Sequence, residues 1–403
     1  MSKLRESVKE NKNKILLVIM TLVVLWMAID YYVELHPRTE ETTASAVLSS
    51  KQDGNKTEET TGASSSALST GDKETAQKDP VENEDESIHL GFAGDINLDE
   101  NSLIMKHMRK KKKGISGVID KRLIKQMKDL DYMILNNEFA ISNRGEPMPG
   151  KAYTFCAPRK NTGLLTDMGV DVVSLANNHV YDYGKQAFLD TLSSLKKEGI
   201  AYTGAGKNSK EAKKPVYLEV KGKKVAVIAA TRAEKYILTP EAGENSPGVF
   251  RTYDPEEYVK AIKKAKKKAD IVIAFVHWGT EYSVALEDAQ KEQGKMYIDA
   301  GADVVVGAHT HCMQGIGYYK GKPIFYSLGN FWFNEKTLYT TILQLNIAQN
   351  GEIKAKMVPC LQSGKETRML TKKQETKKFI RHINSISVNG KLNHKGEVVP
   401  YKK

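Results

Sequence analysis

The stretch "ADVVVGAHTHC", Ala302 to Cys312, joins an apolar run to a pair of histidines. A short run of this kind, rich in valine, predicts a buried β-strand. His309 and His311 follow the strand and are separated by a single residue. Histidines at a strand end are either metal ligands or polar groups that cap the strand, and this stretch alone does not decide between the two.

The same arrangement recurs along the chain. Other apolar runs end in Asp95, in Glu138, in the segment 177–179 and in His277. Helical patterns separate the runs, and this alternation predicts an α/β fold with a mostly parallel sheet covered on both faces. Because ligands bind at the carboxyl ends of parallel strands, we expect the side chains at these ends to meet at one edge.

The residue types at the strand ends indicate a metal centre. They supply carboxylate, amide and imidazole groups without a pair of thiolates, a set that suits Mn, Fe or Zn in a non-structural site. A carboxylate such as Glu138 can bridge two ions, which together can activate a water molecule. His179 is the natural acid, and Asp182 after it is expected to help set a turn that orients the histidine.

Composition narrows the class of partner. The chain has 403 residues and a formal net charge of +12, which favours anionic polymers or anionic lipid surfaces. Two basic runs, 106–113 and 260–270, are solvated helix faces or capture surfaces for such a polymer. No interleaving of aromatic and basic residues indicates binding of single-stranded nucleic acid, and we expect no nucleic-acid partner. Three widely spaced cysteines form no disulfide framework.

The N-terminal part predicts a membrane anchor. Residues 15–33 are almost entirely apolar, with five Lys or Arg residues before them and acidic residues after them. This charge asymmetry predicts a single-pass protein of the cell membrane, with residues 1–14 in the cytoplasm and the main domain outside the cell. A cleaved signal peptide and a buried helix of a soluble protein are the alternatives. Residues 34–87 are polar and predict a flexible, disordered linker.

The remaining chain divides into a folded domain, 88–360, and a basic C-terminal tail, 361–403. Within the domain, two late segments predict hairpins, the second with a turn at Asn350–Gly351.

Several short motifs then resemble one known family. In chain order they are "GDINL" (94–98), "NNE" (136–138), "SLANNHVYDYG" (174–184), "HWGTEY" (277–282), "GAHTH" (307–311) and "YSLGNF" (326–331). This order resembles that of the CapA-type bacterial capsule biosynthesis proteins, over about Ile88 to Pro359. The resemblance implies a calcineurin-like metallophosphatase fold, a four-layer αββα sandwich, and a role in making poly-γ-glutamate capsule.

The resemblance also implies how the ligands divide between two divalent ions. One ion would take Asp95, Glu138 and His311. The other would take Glu138 together with Asn178, His277 and His309, and His179 would act as the acid. Asn177, Asp182, Asn97 and Glu281 would support these groups.

The sequence departs from the phosphoesterase pattern at its first motif. Asn97 stands where that pattern has histidine, and Glu138 stands where aspartate is usual. Glu281 could compensate for the lost ligand, or could lie behind the ligands and orient them.

Three hypotheses follow for function. The leading one is an anchored, extracytoplasmic protein of poly-γ-glutamate capsule synthesis or export, associated with that polymer and with other membrane subunits of the complex. The second is a metal-dependent hydrolase that acts on another cell-envelope substrate. The third is a non-catalytic scaffold that binds the polymer. The retained histidines favour catalysis, whereas Asn97 favours the scaffold.

Overall fold

A computed structural model of the chain describes residues 86–234 and 238–401. The predicted cytoplasmic segment, the predicted anchor and the linker up to residue 85 lie outside the described residues. Among the helices that are described, none has the length and apolar character needed to cross a membrane.

The strands, in chain order, are β1 (Ile88–Ile96), β2 (Tyr132–Asn137), β3 (Ala140–Ile141), β4 (Cys156–Ala157), β5 (Val172–Ser174), β6 (Ala201–Thr203), β7 (Ala205–Gly206), β8 (Val216–Val220), β9 (Lys223–Thr231), β10 (Gly248–Val249), β11 (Ile271–His277), β12 (Val304–Ala308), β13 (Ile316–Tyr319), β14 (Lys322–Phe325), β15 (Asn330–Trp332), β16 (Leu338–Ile347), β17 (Ile353–Ser363), β18 (Glu366–Met369), β19 (Gly390–Leu392) and β20 (Val398–Pro400). The α-helices are α1 (Leu103–Lys111), α2 (Lys121–Lys128), α3 (Gly163–Asp167), α4 (Gly184–Lys197), α5 (Ser209–Ala212), α6 (Glu256–Lys266), α7 (Asp288–Asp299) and α8 (Lys373–Ile386).

Two large mixed sheets form the centre of the described part. The first has the order β18-β17-β16-β1-β2-β5-β6, with β15 also paired to β1. The second has the order β13-β14-β12-β11-β9-β8. In each sheet the strands that lead to the predicted site pair in parallel, and antiparallel strands complete the edges. The α/β class is therefore confirmed, although the parallel strands are divided between two sheets.

Alternation along the strands separates the layers. One set of side chains on β11 and β12 packs in a core shared with β1 and β2 of the other sheet, and it consists of Ile271, Ile273, Phe275, Val304 and Val306. The intervening side chains, Val272, Ala274, Val276 and Val305, pack instead against helices α6 and α7. Because side chains alternate between the two faces of a strand, this period of two places one sheet face inside and the other under helices.

The first sheet is covered in the same way. Met133 and Leu135 of β2 lie in a separate core with residues of α1, α2 and α4, such as Met105, Leu123 and Phe188. The described residues therefore form helix, sheet, sheet and helix layers around three apolar cores.

The C-terminal segment differs from its predicted form. Residues 361–401 are not a tail: they carry the end of β17, strand β18, helix α8 and the β19–β20 hairpin. Phe379 and Ile383 of α8 are fully buried in the core between the sheets. The segment is rich in lysine, which made it look like a solvated tail. Phe379 and Ile383 are four residues apart, about one helical turn, and so lie on the same face of α8.

The predicted Asn-Gly turn is present between β16 and β17, where Gly351 has a φ of 86°. A positive φ at this position is the conformation that glycine adopts without a steric penalty.

Candidate metal centre

The predicted strand-end residues of both sheets converge. Asp95 lies in β1, Glu138 follows β2, Asn178 and His179 follow β5, and His277 ends β11. The histidines after β12 complete the set. All of these side chains are buried, and those of Asp95 and Glu138 have no exposed surface.

One group of ligand atoms is formed by Asp95, Glu138 and His311, each offering an atom within 4.8 Å of the others. The Nδ1 of His311 is 3.4 Å from Oδ2 of Asp95, and its Nε2 is 3.9 Å from Oε1 of Glu138. One ring nitrogen of His311 and one oxygen from each carboxylate are therefore close enough to hold one ion.

A second group contains Glu138 again, with His277 and His309. The Nε2 of His277 is 3.6 Å from Oε1 of Glu138 and 2.9 Å from Oδ1 of Asn178. Asn178 therefore lies beside this second group. The Glu138 carboxylate is common to both groups, which is the arrangement of a bridging ligand.

Unpartnered atoms test whether the residues fit a cation. Oε1 of Glu138 and Nδ1 of His309 are buried and have no hydrogen-bond partner within the described part of the chain. A buried polar atom without a partner is costly, and a divalent ion would satisfy both an imidazole nitrogen and a carboxylate oxygen. The donor set fits divalent metal binding.

The electrostatics of the metal-free cluster agree with this fit. Burial, together with the neighbouring Asp95 carboxylate, raises the pKa of Glu138 well above its usual range. Burial and then the nearby histidines hold the pKa of His277 well below its usual range. Burial first, and then His311, lowers the pKa of His309 to about 3. Neutral imidazoles have the free lone pair that a metal ligand requires.

Asn136 ties the two carboxylates together. Its Nδ2 donates to Oδ1 of Asp95 at 2.8 Å and to Oε2 of Glu138 at 2.9 Å. Its Oδ1 accepts from Nδ2 of Asn177 at 3.0 Å, so Asn136 connects the predicted residue Asn177 to the two carboxylates. Asn136 was not predicted as a site residue, although it lies in the quoted "NNE" motif.

The backbone after β12 is strained at the two histidines of the candidate metal centre. His309 has a φ of 96° and His311 a φ of 56°. Non-glycine residues rarely adopt positive φ, and such strain concentrates at functional sites. The strain turns the chain so that both rings of the His-x-His motif enter the cluster.

Glycine permits the close approach of β12 to its neighbours. A Cβ at Gly307 would lie 1.9 Å from the carbonyl oxygen of Tyr326 and 2.6 Å from Nε1 of Trp278. No side chain fits there, so the glycine two residues before His309 sets the position of the strand end.

His179 stands apart from both ligand groups. Its Nδ1 lies 2.7 Å from Oδ2 of Asp182, and its ring packs on Phe155 with the centroids 4.5 Å apart. Since Asp182 holds Nδ1, Nε2 is the ring nitrogen left to exchange a proton with a bound molecule.

A cleft of about 340 Å³ connects His179 and His311 to the surface. Tyr153, Phe155, Tyr282 and Phe333 supply its aromatic lining.

The predicted residues Asn97 and Glu281 also line this cleft and belong to neither ligand group. The Oδ1 of Asn97 accepts from the backbone N–H of Asp99 at 2.8 Å, so this oxygen is engaged locally. Glu281 is exposed.

Two further residues were missed by sequence reasoning. Asn330 is buried, and its Oδ1 lies 2.8 Å from Nδ1 of His311. Its position in the "YSLGNF" motif was the sequence feature that could have marked it as a site residue. The side chain of Lys151 is almost completely buried, and its Nζ lies 2.7 Å from Oδ1 of Asp182 and 3.0 Å from Oε1 of Glu234. Lys151 follows no strand and no periodic pattern, so no local signal marked it.

Fold and site together define a mixed α/β protein with a buried carboxylate–histidine cluster of the metal-binding kind. Residues 89–335 match the family model described as "Bacterial capsule synthesis protein PGA_cap". The chain belongs to this family, as the motif resemblance predicted.

Individual relatives agree with this membership. "Capsule biosynthesis protein CapA" of Bacillus anthracis is 32% identical over 300 residues, which cover 69% of this chain and 72% of that protein. "PGA biosynthesis protein CapA" of Bacillus subtilis (strain 168) is 37% identical over 205 residues, 50% of this chain. The match spans only about half of the Bacillus subtilis protein, 53% of its length.

Among solved structures, the Haemophilus influenzae NAD nucleotidase (NadN) aligns with a TM-score of 0.41 at 14% identity. The alignment covers 77% of this chain and 65% of that one. A similarity this low says nothing about the activity of this chain.

Proposed function

We propose that this chain takes part in making or exporting poly-γ-glutamate capsule, through a metallophosphatase-like site that holds two divalent ions. The carrying observation is that one buried carboxylate, Glu138, belongs to both ligand groups and has an unpartnered oxygen facing them. The printed names of the Bacillus relatives support the biological setting.

Each residue has a definite task in this proposal. Asp95, Glu138 and His311 would hold one ion, while Glu138, Asn178, His277 and His309 would hold the other. Mn, Fe or Zn suits these ligands and, when bound, supplies an activated water and charge stabilisation. His179, held through Nδ1 by Asp182, presents Nε2 to the cleft and donates a proton to a leaving group.

Metal content of the full-length chain tests the site. Glu138→Ala should remove both ions, because its carboxylate is shared. His311→Ala and His277→Ala should each remove one. His107→Ala is the matched control, since His107 pairs with Glu366 outside the site. Wild-type protein without bound metal, after growth with Mn, Fe and Zn, would overturn the proposal.

Hydrolysis assays separate the remaining possibilities. The metal-loaded chain would be incubated with poly-γ-glutamate and with a generic phosphodiester. Cleavage of the polymer that is lost in His179→Ala supports a capsule enzyme. Cleavage of the phosphodiester alone favours a hydrolase acting on another envelope substrate.

One observation favours the non-catalytic scaffold as a second candidate. The side-chain oxygen of Asn97 is bonded to the Asp99 backbone, and Asn97 supplies no imidazole at the position where the phosphoesterase pattern has a histidine. A chain that binds metal and polymer but cleaves neither substrate would support this candidate.

The proposal includes a location for the protein at the cell membrane. The apolar run 15–33 and the charge asymmetry around it support a single-pass anchor, with the described domain outside the cell and beside other membrane subunits of a capsule complex. Protease added to intact protoplasts should digest the domain and spare residues 1–14. Protection of the domain would contradict this location.

A further inference from the structure

A groove separate from the metal centre lies along helix α4. It has a volume of about 1060 Å³ and runs between α4, strand β6 and the segment that leads into β8. β6 is the last strand of the first sheet and β8 the last strand of the second. The groove therefore follows the line where the two sheet edges meet.

Four lysines line this groove: Lys185, Lys196, Lys207 and Lys214. All are exposed. None of them forms an ion pair with any residue in the described part of the chain, whereas the adjacent Lys213 pairs with Glu257 at 2.8 Å. Lys185 and Lys196 lie eleven residues apart on α4, about 16 Å at the helical rise of ~1.5 Å per residue. The ammonium groups are thus spread along the groove.

The acidic residues of the groove do not cancel this charge. Asp190 is buried and bonded to Arg144 and Ser142, and the Arg144 guanidinium lowers the pKa of Asp190 to about 2. Its charge is neutralised within the protein. Glu211 is the other lining acid, and its carboxylate accepts from the backbone N–H of Lys207 at 3.0 Å. The groove keeps a surplus of positive charge.

The floor between the lysines is apolar and aromatic. Leu192, Tyr202, Pro215 and Tyr217 line it, and the two tyrosines are only partly buried. A ligand with carboxylates spaced along an aliphatic chain would place its charges on the lysines and its methylene groups on this floor.

We infer that this groove binds an extended polycarboxylate chain, and so holds the polymer at a second place on the protein. Poly-γ-glutamate has one carboxylate per residue on an aliphatic amide backbone, and it matches both the charge and the apolar floor. The identity of the polymer rests on the proposed function, while the binding site rests on the groove. Helix α4 begins shortly after His179 and Asp182, so the groove starts beside the segment that carries the proposed acid.

Fluorescence anisotropy with labelled poly-γ-glutamate tests the inference on the full-length chain. Lys196→Glu with Lys214→Glu should weaken binding tenfold or more. Lys263→Glu with Lys264→Glu is the matched control: these lysines are exposed on α6, have no ion pair within the described residues, and give the same change in net charge. The control should bind within twofold of wild type.

Several outcomes would overturn the inference. Equal weakening in both double variants would show general charge attraction rather than a site. Equal affinity for polyphosphate or single-stranded DNA would show that the groove does not select carboxylates. Wild-type protein that does not bind the polymer would also exclude the groove.

A lysine-labelling footprint tests the groove in the wild-type chain, so its result does not depend on whether a variant folds. Lysine acetylation of the wild-type chain, read by mass spectrometry, should show Lys196 and Lys214 protected by polymer and Lys263 unchanged. Uniform labelling would contradict the inference. Metal content is measured on the same samples: loss of polymer binding with intact metal removes the groove proposal alone, whereas loss of metal removes the proposed function.

Discussion

The Nζ of Lys151 lies 2.7 Å from Oδ1 of Asp182, and both side chains are almost completely buried. The same ammonium group reaches Glu234 and the backbone carbonyl oxygen of Asn178. Asp182 in turn holds His179. One lysine therefore connects two surface loops to the segment that carries a proposed metal ligand and the proposed acid.

Removal of this lysine should destabilise the fold strongly. Lys151→Met leaves the buried Asp182 carboxylate without its cation, and breaking a buried pair costs about 3–5 kcal/mol. The free energy of unfolding in urea measures the effect. Lys125→Met is the control, because Lys125 pairs with Asp129 on the exposed surface and such pairs contribute about 1 kcal/mol or less. Similar losses in the two variants would contradict a structural role for the buried pair.

Asn330 should control the affinity of one ion and not the other. Its Oδ1 lies 2.8 Å from Nδ1 of His311, so Nε2 would be the ring nitrogen that binds an ion. Asn330→Ala should lower affinity at the first site about 10–100-fold, as for other residues that orient a metal ligand. Calorimetric titration with Mn²⁺ measures both sites, and the His277 site serves as the internal control.

Asn330→Asp retains an acceptor for His311 and should keep the affinity of the first site. A loss in the Asp variant as large as that in the Ala variant would show that the residue acts through packing alone.

A methyl group on Gly307 should disturb the strand end. The added Cβ would meet the Tyr326 carbonyl oxygen at 1.9 Å, so the neighbouring backbone must move. We expect Gly307→Ala to cost about 1–3 kcal/mol of stability, a typical cost of overpacking. Thermal unfolding would detect it. Gly163→Ala is the control, since the nearest atom to its Cβ is 4.0 Å away. An equal loss of Tm in this control would show that the loss in Gly307→Ala does not come from the clash.

The metal-free protein should lose stability in mild acid. The pKa of His309 is lowered from 6.5 to about 3 by burial, so below about pH 6.5 the unfolded chain binds a proton that the folded chain does not. Stability from this residue is complete above that pH and is lost as the pH falls toward 3. At about 1.4 kcal/mol per pH unit, the contribution of His309 to the free energy of unfolding falls by about 2 kcal/mol between pH 6.5 and pH 5.

Urea unfolding after chelation, repeated across this pH range, gives the slope. His309→Gln should reduce it, while His394→Gln, which changes an exposed histidine, should leave it as it is. An unchanged slope in the His309 variant would assign the acid sensitivity to other groups.

Sequence alone predicted most of the residues that the structure brings together at the candidate metal centre. Asp95, Glu138, His277 and His309 each end an apolar run, and both the period of a strand and the chemistry of a side chain are local properties. Because parallel strands bring their carboxyl ends to one edge, the list of strand ends was already a prediction of a site. The membrane span at 15–33 was predicted in the same way and remains a prediction.

Only the tertiary structure shows which residues surround the site, because those residues are brought together by contacts between segments far apart in sequence. The parallel pairing of β1 with β2 and β15 puts Asn136 and Asn330 beside Asp95, and no local pattern specifies which strands pair. Lys151 reaches Asp182 from a loop that has no periodicity. Residues 361–401 fold onto the domain because Phe379 and Ile383 find an apolar core made by other strands. Local sequence therefore determined the residue types at the candidate metal centre, and long-range packing determined which other residues hold their side chains in place.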